Sequence, residues 1–194
     1  MSSSSFSFQG RPIWSGSLVL LLVLMLLGLG AIPALAGDVL TYHNDLSRTG
    51  QNLNETILTT SNVNSASFGL LFTLKVDGNI DAQPLYVSGL TIGGVSRNVV
   101  YTVTENDSAY AFDADTGAQL WKVSAKMAGE VAPSGKTLNC NQIGPTLGIT
   151  ATPVIDRGSG PHGTIYLVAM SADASGNYYQ RLHALDLTTG AEEF

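Results

Sequence analysis

Side chains able to do chemistry are few in this sequence and share no catalytic spacing. His43, His162 and His183 stand far apart, without the short intervals by which His and Cys side chains gather a zinc ion. Asp113-Ala114-Asp115 opens like a calcium loop, but the Glu that closes an EF-hand is missing. No Ser/His/Asp order, Gly-rich phosphate cradle or carboxylate pair rises above the background of turn residues. The sequence therefore assigns no catalytic residue and no metal ligand. Asn54-Glu55-Thr56 and Asn106-Asp107-Ser108 fit the N-glycosylation sequon, which matters only in a host that glycosylates. What remains is a set of loop residues, Asp77, Asp81, Glu105, Asp107, Asp173 and the single Cys140. Their use depends on the scaffold that gathers them.

The first 36 residues read as an export address. A Ser-rich stretch with one positive charge, Arg11, precedes an apolar run over residues 18–35, and Ala34-Leu35-Ala36 is the small-x-small pattern cut by a signal peptidase. An uncleaved anchor is the alternative, at the short limit of ~18–20 residues for a membrane span and interrupted by Gly28, Gly30 and Pro33. The expected location is periplasmic or extracellular, with the membrane involved only through this signal. The chain carries 9 Lys and Arg against 15 Asp and Glu, a net charge of −6, and has no basic stripe. That balance argues against nucleic acid or an anionic membrane surface as partner. Cys140 has no second Cys in the chain to pair with. Either its partner lies outside this sequence or it is a buried free thiol.

After a lead-in over residues 37–69, short β-rich runs alternate with turn residues. Strands are expected at residues 70–76, 82–87, 99–103, 109–112 and 119–123, with a Gly-rich loop at 88–94 and turns at Glu105-Asn106-Asp107 and Asp115-Thr116-Gly117. This pattern predicts an all-β antiparallel domain and not a βαβ fold. An internal repeat narrows the choice. Ala111-Phe112-Asp113-Ala114-Asp115-Thr116-Gly117 with Trp121 returns as Ala184-Leu185-Asp186-Leu187-Thr188-Thr189-Gly190 with Phe194. Upstream, Ala82-Gln83-Pro84-Leu85 matches Ala151-Thr152-Pro153-Val154, and residues 99–103 match 164–168. Each repeat is thus a four-stranded unit, and tandem four-stranded units are the blades of a β-propeller. About two blades are expected over residues 70–194, a partial propeller whose sequence stops where the outer strand of the second blade should begin. Two such blades alone are expected to be marginally stable.

The repeated residues read as scaffold. Gly117 and Gly190 supply positive φ. Asp113 and Asp186 accept from backbone N–H groups of their turns, with Thr116 and Thr189 beside them. Ala111 and Ala184 mark the third strand, and Trp121 and Phe194 are placed to fill the space between blades. The interval from Phe72 to Ala82 is 10 residues, whereas the matching one from Trp121 to Ala151 is 30. The excess falls in the connection at residues 122–148. Strand alternation puts that connection on one face with residues 77–81, 105–107 and 172–177, opposite the Thr-Gly turns. Asp77, Asp81, Glu105, Asp107 and Asp173 should make the face acidic, and with Cys140 they are the candidate ligand-face residues, because binding concentrates on long loops of rigid scaffolds.

The Ala-x-Asp-x-x-Thr-Gly-x-x-x-Trp pattern resembles the tryptophan-docking repeat of the pyrroloquinoline-quinone (PQQ) propellers, the quinoprotein alcohol dehydrogenase-like superfamily. Asn62-Val63 before Phe68-Gly69-Leu70, and Tyr42-His43-Asn44-Asp45 with Arg48-Thr49-Gly50, are similar to lead-in segments of that group and of its non-enzymatic members. The resemblance implies a propeller and leaves function open, since the superfamily holds dehydrogenases, an outer-membrane assembly lipoprotein and secreted proteins of other kinds. Its dehydrogenases hold PQQ between a Trp and an adjacent-Cys disulfide, with calcium on Glu, Asn and Asp. This sequence has no Cys-Cys pair, and none of those ligands can be placed on it. The favoured expectation is a non-catalytic binding or scaffold module, with a protein, glycan or cell-surface component as partner and no cofactor. A fragment of a PQQ- and calcium-dependent dehydrogenase is the alternative, and an accessory domain of an extracellular hydrolase a third.

Overall fold

A computed structural model describes residues 37–53, 55–139 and 142–194. The leader expected over residues 1–36 lies outside them, as do Asn54 and Cys140. The described residues contain seven strands and no helix: β1 (Leu85–Ile92), β2 (Val95–Val103), β3 (Ser108–Asp113), β4 (Gln119–Ser124), β5 (Val154–Asp156), β6 (Thr164–Ala172) and β7 (Tyr178–Asp186). They form two antiparallel sheets, β1-β2-β3-β4 and β5-β6-β7, each in sequence order.

The sequence repeat is also a register repeat. In the first sheet Leu85 pairs with Tyr101, Tyr101 with Ala111 and Ala111 with Trp121. In the second, Val154 pairs with Tyr166 and Tyr166 with Ala184. Matched residues thus occupy matched places in both ladders. Because side chains alternate across a pleated strand, each row points to one face of its sheet.

The row Leu85-Tyr101-Ala111-Trp121 is buried, and the 186–190 turn of the second repeat is what lies against it. The Tyr101 hydroxyl and the Trp121 indole N–H both donate to the Leu187 carbonyl, at 2.9 and 3.0 Å. Gly190, at φ 71°, lies so close under the indole that a Cβ there would come within 2.8 Å of Trp121 Cε3. One residue type therefore meets two demands, a left-handed backbone and no side chain. Phe72 stands over Gly117 in the same way, with a Cβ there falling 3.0 Å from its ring.

Several expected boundaries shift. Residues 70–76 form no ladder with any described strand. They keep a two-residue alternation, with Phe72, Leu74 and Val76 half-buried between more exposed neighbours. The segment is extended, and without a paired strand beside it there is no sheet for it to join. Residues 88–92, expected to be loop, continue β1 through an irregularity between Val87 and Leu90, and the turn falls at Gly93-Gly94. A bulge takes up one residue without ending pairing. Phe194, expected to be buried, is 77 % exposed, and Val154, Val168 and Leu182 of the second sheet are exposed too.

Sequence reasoning left residues 37–41 as a lead-in, yet they join the sheets. Val39 bridges to Tyr86 beside β1, and Ile155 of β5 donates its backbone N–H to the Leu40 carbonyl at 2.8 Å. Asp38 accepts from the Ser88 amide and hydroxyl and pairs with Arg157 at 2.6 Å.

Candidate binding face

The two Thr-Gly turns are closed as expected. Asp113 Oδ1 accepts from the Asp115 and Thr116 amides and the Thr116 hydroxyl, and Asp186 Oδ1 does the same for Thr188 and Thr189. The second oxygen of each carboxylate takes a basic partner, Arg97 for Asp113 and His162 for Asp186. Arg97 beside Asp113, together with the turn amides, lowers its pKa from the ordinary range. Burial opposes ionisation of Asp186, but hydrogen bonds from Thr188, His162 and Thr189 bring its pKa down to about 2. These side chains are fully used in holding their turns.

The opposite face is organised by the β2–β3 turn, Thr104-Glu105-Asn106-Asp107-Ser108. Asp107 adopts φ 58°, a conformation that Asp and Asn tolerate better than other side chains. Residues 77–79 approach from one side. The Glu105 amide donates to the Asn79 carbonyl at 3.0 Å. Asp77 accepts from Thr104 Oγ1, Ser108 Oγ, Asn106 Nδ2 and Lys122 Nζ. Against the cost of burial, these donors hold Asp77 well below the usual carboxylate range. Asp77 is thus a tie between segments. Asn106 gives its amide N–H to Asp77 and its carbonyl oxygen to Lys126, so the side chain of that sequon is engaged at both ends.

The long connection closes over the turn from the other side. Gly148 and Ile149 donate to the Glu105 and Thr104 carbonyls at 2.8 and 3.2 Å, and the Gly144 amide donates to Glu105 Oε1 at 2.8 Å. Farther along, Val131 bridges to Ala172 at the end of β6. Glu130 receives two hydrogen bonds from Arg181 and one from Ser171, and these lower its pKa to about 2. Hydrogen bonds thus join residues 77–79, the 104–108 turn, the long connection and the end of β6.

The expected acidity of that face is mostly internal. Glu105 and Asp107 are both 0 % exposed. Glu105 Oε2 and both Asp107 carboxylate oxygens make no well-formed hydrogen bond, with the Asn79 amide and the Met170 N–H as their nearest donors. Burial raises the Glu105 pKa, and contact with the Asp81 carboxyl adds to the rise. Burial pushes Asp107 up to about 6 and Glu130 adds to this, with Lys126, the Met170 backbone N–H and His183 acting against it. Asp173 is turned into its own loop, accepting from Ser175, Asn177 and Tyr179, which brings its pKa to about 2. Of the five acids only Asp81 remains exposed without a basic partner in the structure. Cys140, placed on this face by sequence, lies outside the described residues.

Sequence reasoning missed the Glu130–Arg181 pair, because the partners are 51 residues apart and neither belongs to the repeat. It also missed a hollow of about 630 Å³ between residues 40–47 and β5, lined by Thr41, Asn44, Leu46 and Val154. Its carboxylates are already committed, Asp38 to Arg157 and Asp45 to Thr49. Among the described residues no three His, Cys, Asp or Glu side chains converge as metal ligands would. Comparison of the chain with protein-family models, with curated proteins and with solved structures returned no match in any of the three.

Proposed function

We propose that the chain is part of an exported PQQ-repeat-type β-propeller that acts as a non-catalytic binding module, taking a protein, glycan or cell-surface component on the face of the β2–β3 turn. The observation that carries this reading is the asymmetry between the two faces. One has short turns whose polar groups are consumed in closing them. The other gathers the longest connection of the chain over a turn that holds two buried carboxylates with unpartnered oxygens. Polar groups left unsatisfied cost folding free energy and tend to persist where they serve binding. The two register-matched sheets, one docked on the turn of the other, are what successive blades would require. The leader-like first 36 residues support export.

The catalytic alternative has a direct test. The protein is incubated with PQQ and Ca²⁺ and assayed for dye reduction with alcohols and aldose sugars. No turnover above the cofactor-only control is expected, and cofactor-dependent turnover would overturn the non-catalytic reading.

A further inference from the structure

The connection at residues 144–149, Gly-Pro-Thr-Leu-Gly-Ile, lies across the β2–β3 turn as a strap without a charged residue. A Cβ at Gly148 would fall 2.6 Å from Asp107 Oδ1 and 2.7 Å from the Asp107 amide nitrogen, and one at Gly144 would overlap the Glu105 carboxyl and the Asn79 side-chain amide. Glycine at both places thus lets the backbone close directly onto two carboxyl groups. The strap brings them one N–H donor, from Gly144 to Glu105 Oε1, and no cation. Glu105 Oε2 and both Asp107 carboxyl oxygens are buried without a well-formed hydrogen bond, their nearest donors being the Asn79 side-chain amide and the Met170 N–H. A closed strap excludes the water that an ionised carboxylate requires, whereas a neutral carboxyl tolerates burial far better.

The charged groups facing these carboxyls are few. Glu105 faces Asp81, which precedes β1. Asp107 faces Lys126 beyond β4, Glu130 of the connection and His183 of β7. Asp77 lies beside the same turn but is already paired with Lys122. No cation stands next to Glu105; the Gly144 N–H and the Asn79 amide favour its charged form, but burial and the Asp81 carboxyl outweigh them.

We propose that residues 144–148 form an acid-closed strap, seated on the turn while Glu105 and Asp107 are protonated and lifted from it as they ionise, which bares both carboxylates beside the already exposed Asp81. The sign follows from the direction of both shifts. A carboxyl whose folded-state pKa is raised stabilises the closed form fully below its ordinary pKa, and that contribution is lost as pH rises through the folded value. For Asp107 the window runs from about 4 to about 6. The device is independent of what the face binds.

Hydrogen exchange of the complete chain, followed by mass spectrometry from pH 5 to pH 8 and corrected for the intrinsic pH dependence of amide exchange, tests it. Peptides spanning residues 142–149 are expected to lose protection by about tenfold or more over that range, as local opening would give, while β2, β3 and β6 peptides hold theirs. In the double variant Glu105→Gln/Asp107→Asn, strap protection should stay high at pH 8, because neutral amides keep the shape and remove the charges. Asn tolerates the positive φ at position 107. Constant strap protection across pH in the wild-type protein would overturn the proposal without need of the variant. So would a loss of protection in the double variant equal to that of the wild type, or a loss shared by all peptides, which would indicate global unfolding.

Discussion

Replacing Trp121 with alanine should lower the free energy of unfolding by about 3–5 kcal/mol, the range for removing a buried aromatic side chain. The indole is 8 % exposed and packs 5.8 Å from the Tyr101 ring. It packs over Gly190 together with Val123, whose Cγ1 would stand 3.0 Å from a Cβ there against 2.8 Å for the indole Cε3. The cavity would open at the junction of the sheets, whose hydrogen bonds to Leu187 come from Tyr101 and Trp121 alone. Tyr101 would then hold the Leu187 carbonyl by itself. Trp121→Phe separates the contributions, since it keeps an aromatic ring and removes the N–H, and about 1 kcal/mol of hydrogen bonding should go with it. Urea denaturation of both variants measures the difference. A loss below about 1 kcal/mol for Trp121→Ala would mean that the sheets are held by something else.

Gly148→Ala is expected to be comparably damaging for a different reason. The backbone at 148 does not need positive φ; it needs space. The added methyl would meet the Glu105 carbonyl and the Asp107 amide, both backbone atoms of a turn fixed on two sides. Neither can swing aside as a side chain would, so the cost should reach or exceed the ~1–3 kcal/mol usual for overpacking. Gly69→Ala is the matched control, because a Cβ there meets nothing within 4 Å and its φ is not left-handed. Thermal melts of the two variants should separate clearly, and a Gly148→Ala melt equal to that of Gly69→Ala would show that the strap is not seated on the turn.

Local physics explains how much of this was legible. The turn chemistry of Asp113, Thr116 and Gly117, and of Asp186, Thr189 and Gly190, is written in neighbouring residues, so sequence alone reports it. The repeat matched Tyr101 with Tyr166 and Ala111 with Ala184, and the two ladders pair Tyr101 with Ala111 and Tyr166 with Ala184 alike. Residues 70–76 carried strand composition but found no neighbour, and pairing is a property of two segments. Residues 88–92 looked like loop because Gly89 disguises a strand that continues past an irregularity. The Asp38–Arg157 pair, the Glu130–Arg181 pair and the contact of residues 144–149 with Glu105 join points 119, 51 and about 40 residues apart. No local pattern encodes them. The acids of the candidate face were found by loop position, but burial of Glu105 and Asp107 depends on that distant strap, and so their lack of exposure could not be read in advance.

If one face carries binding and the other is scaffold, the two are separated by titrating the protein against a glycan panel and cell-envelope preparations, alongside Asp81→Lys and Asp115→Lys. Both positions are exposed; Asp81 lies beside Glu105 on the strap face, and Asp115 sits in the opposite 113–117 turn, where it accepts from Asn98. At physiological salt, screening over ~8 Å keeps each reversal local. Expected are measurable binding by the wild-type protein, a loss of about tenfold or more for Asp81→Lys (~1.4 kcal/mol), and a change within about twofold for Asp115→Lys. Binding lost through Asp115→Lys and kept in Asp81→Lys, or no binding by the wild-type protein to any preparation, would contradict that division of the faces.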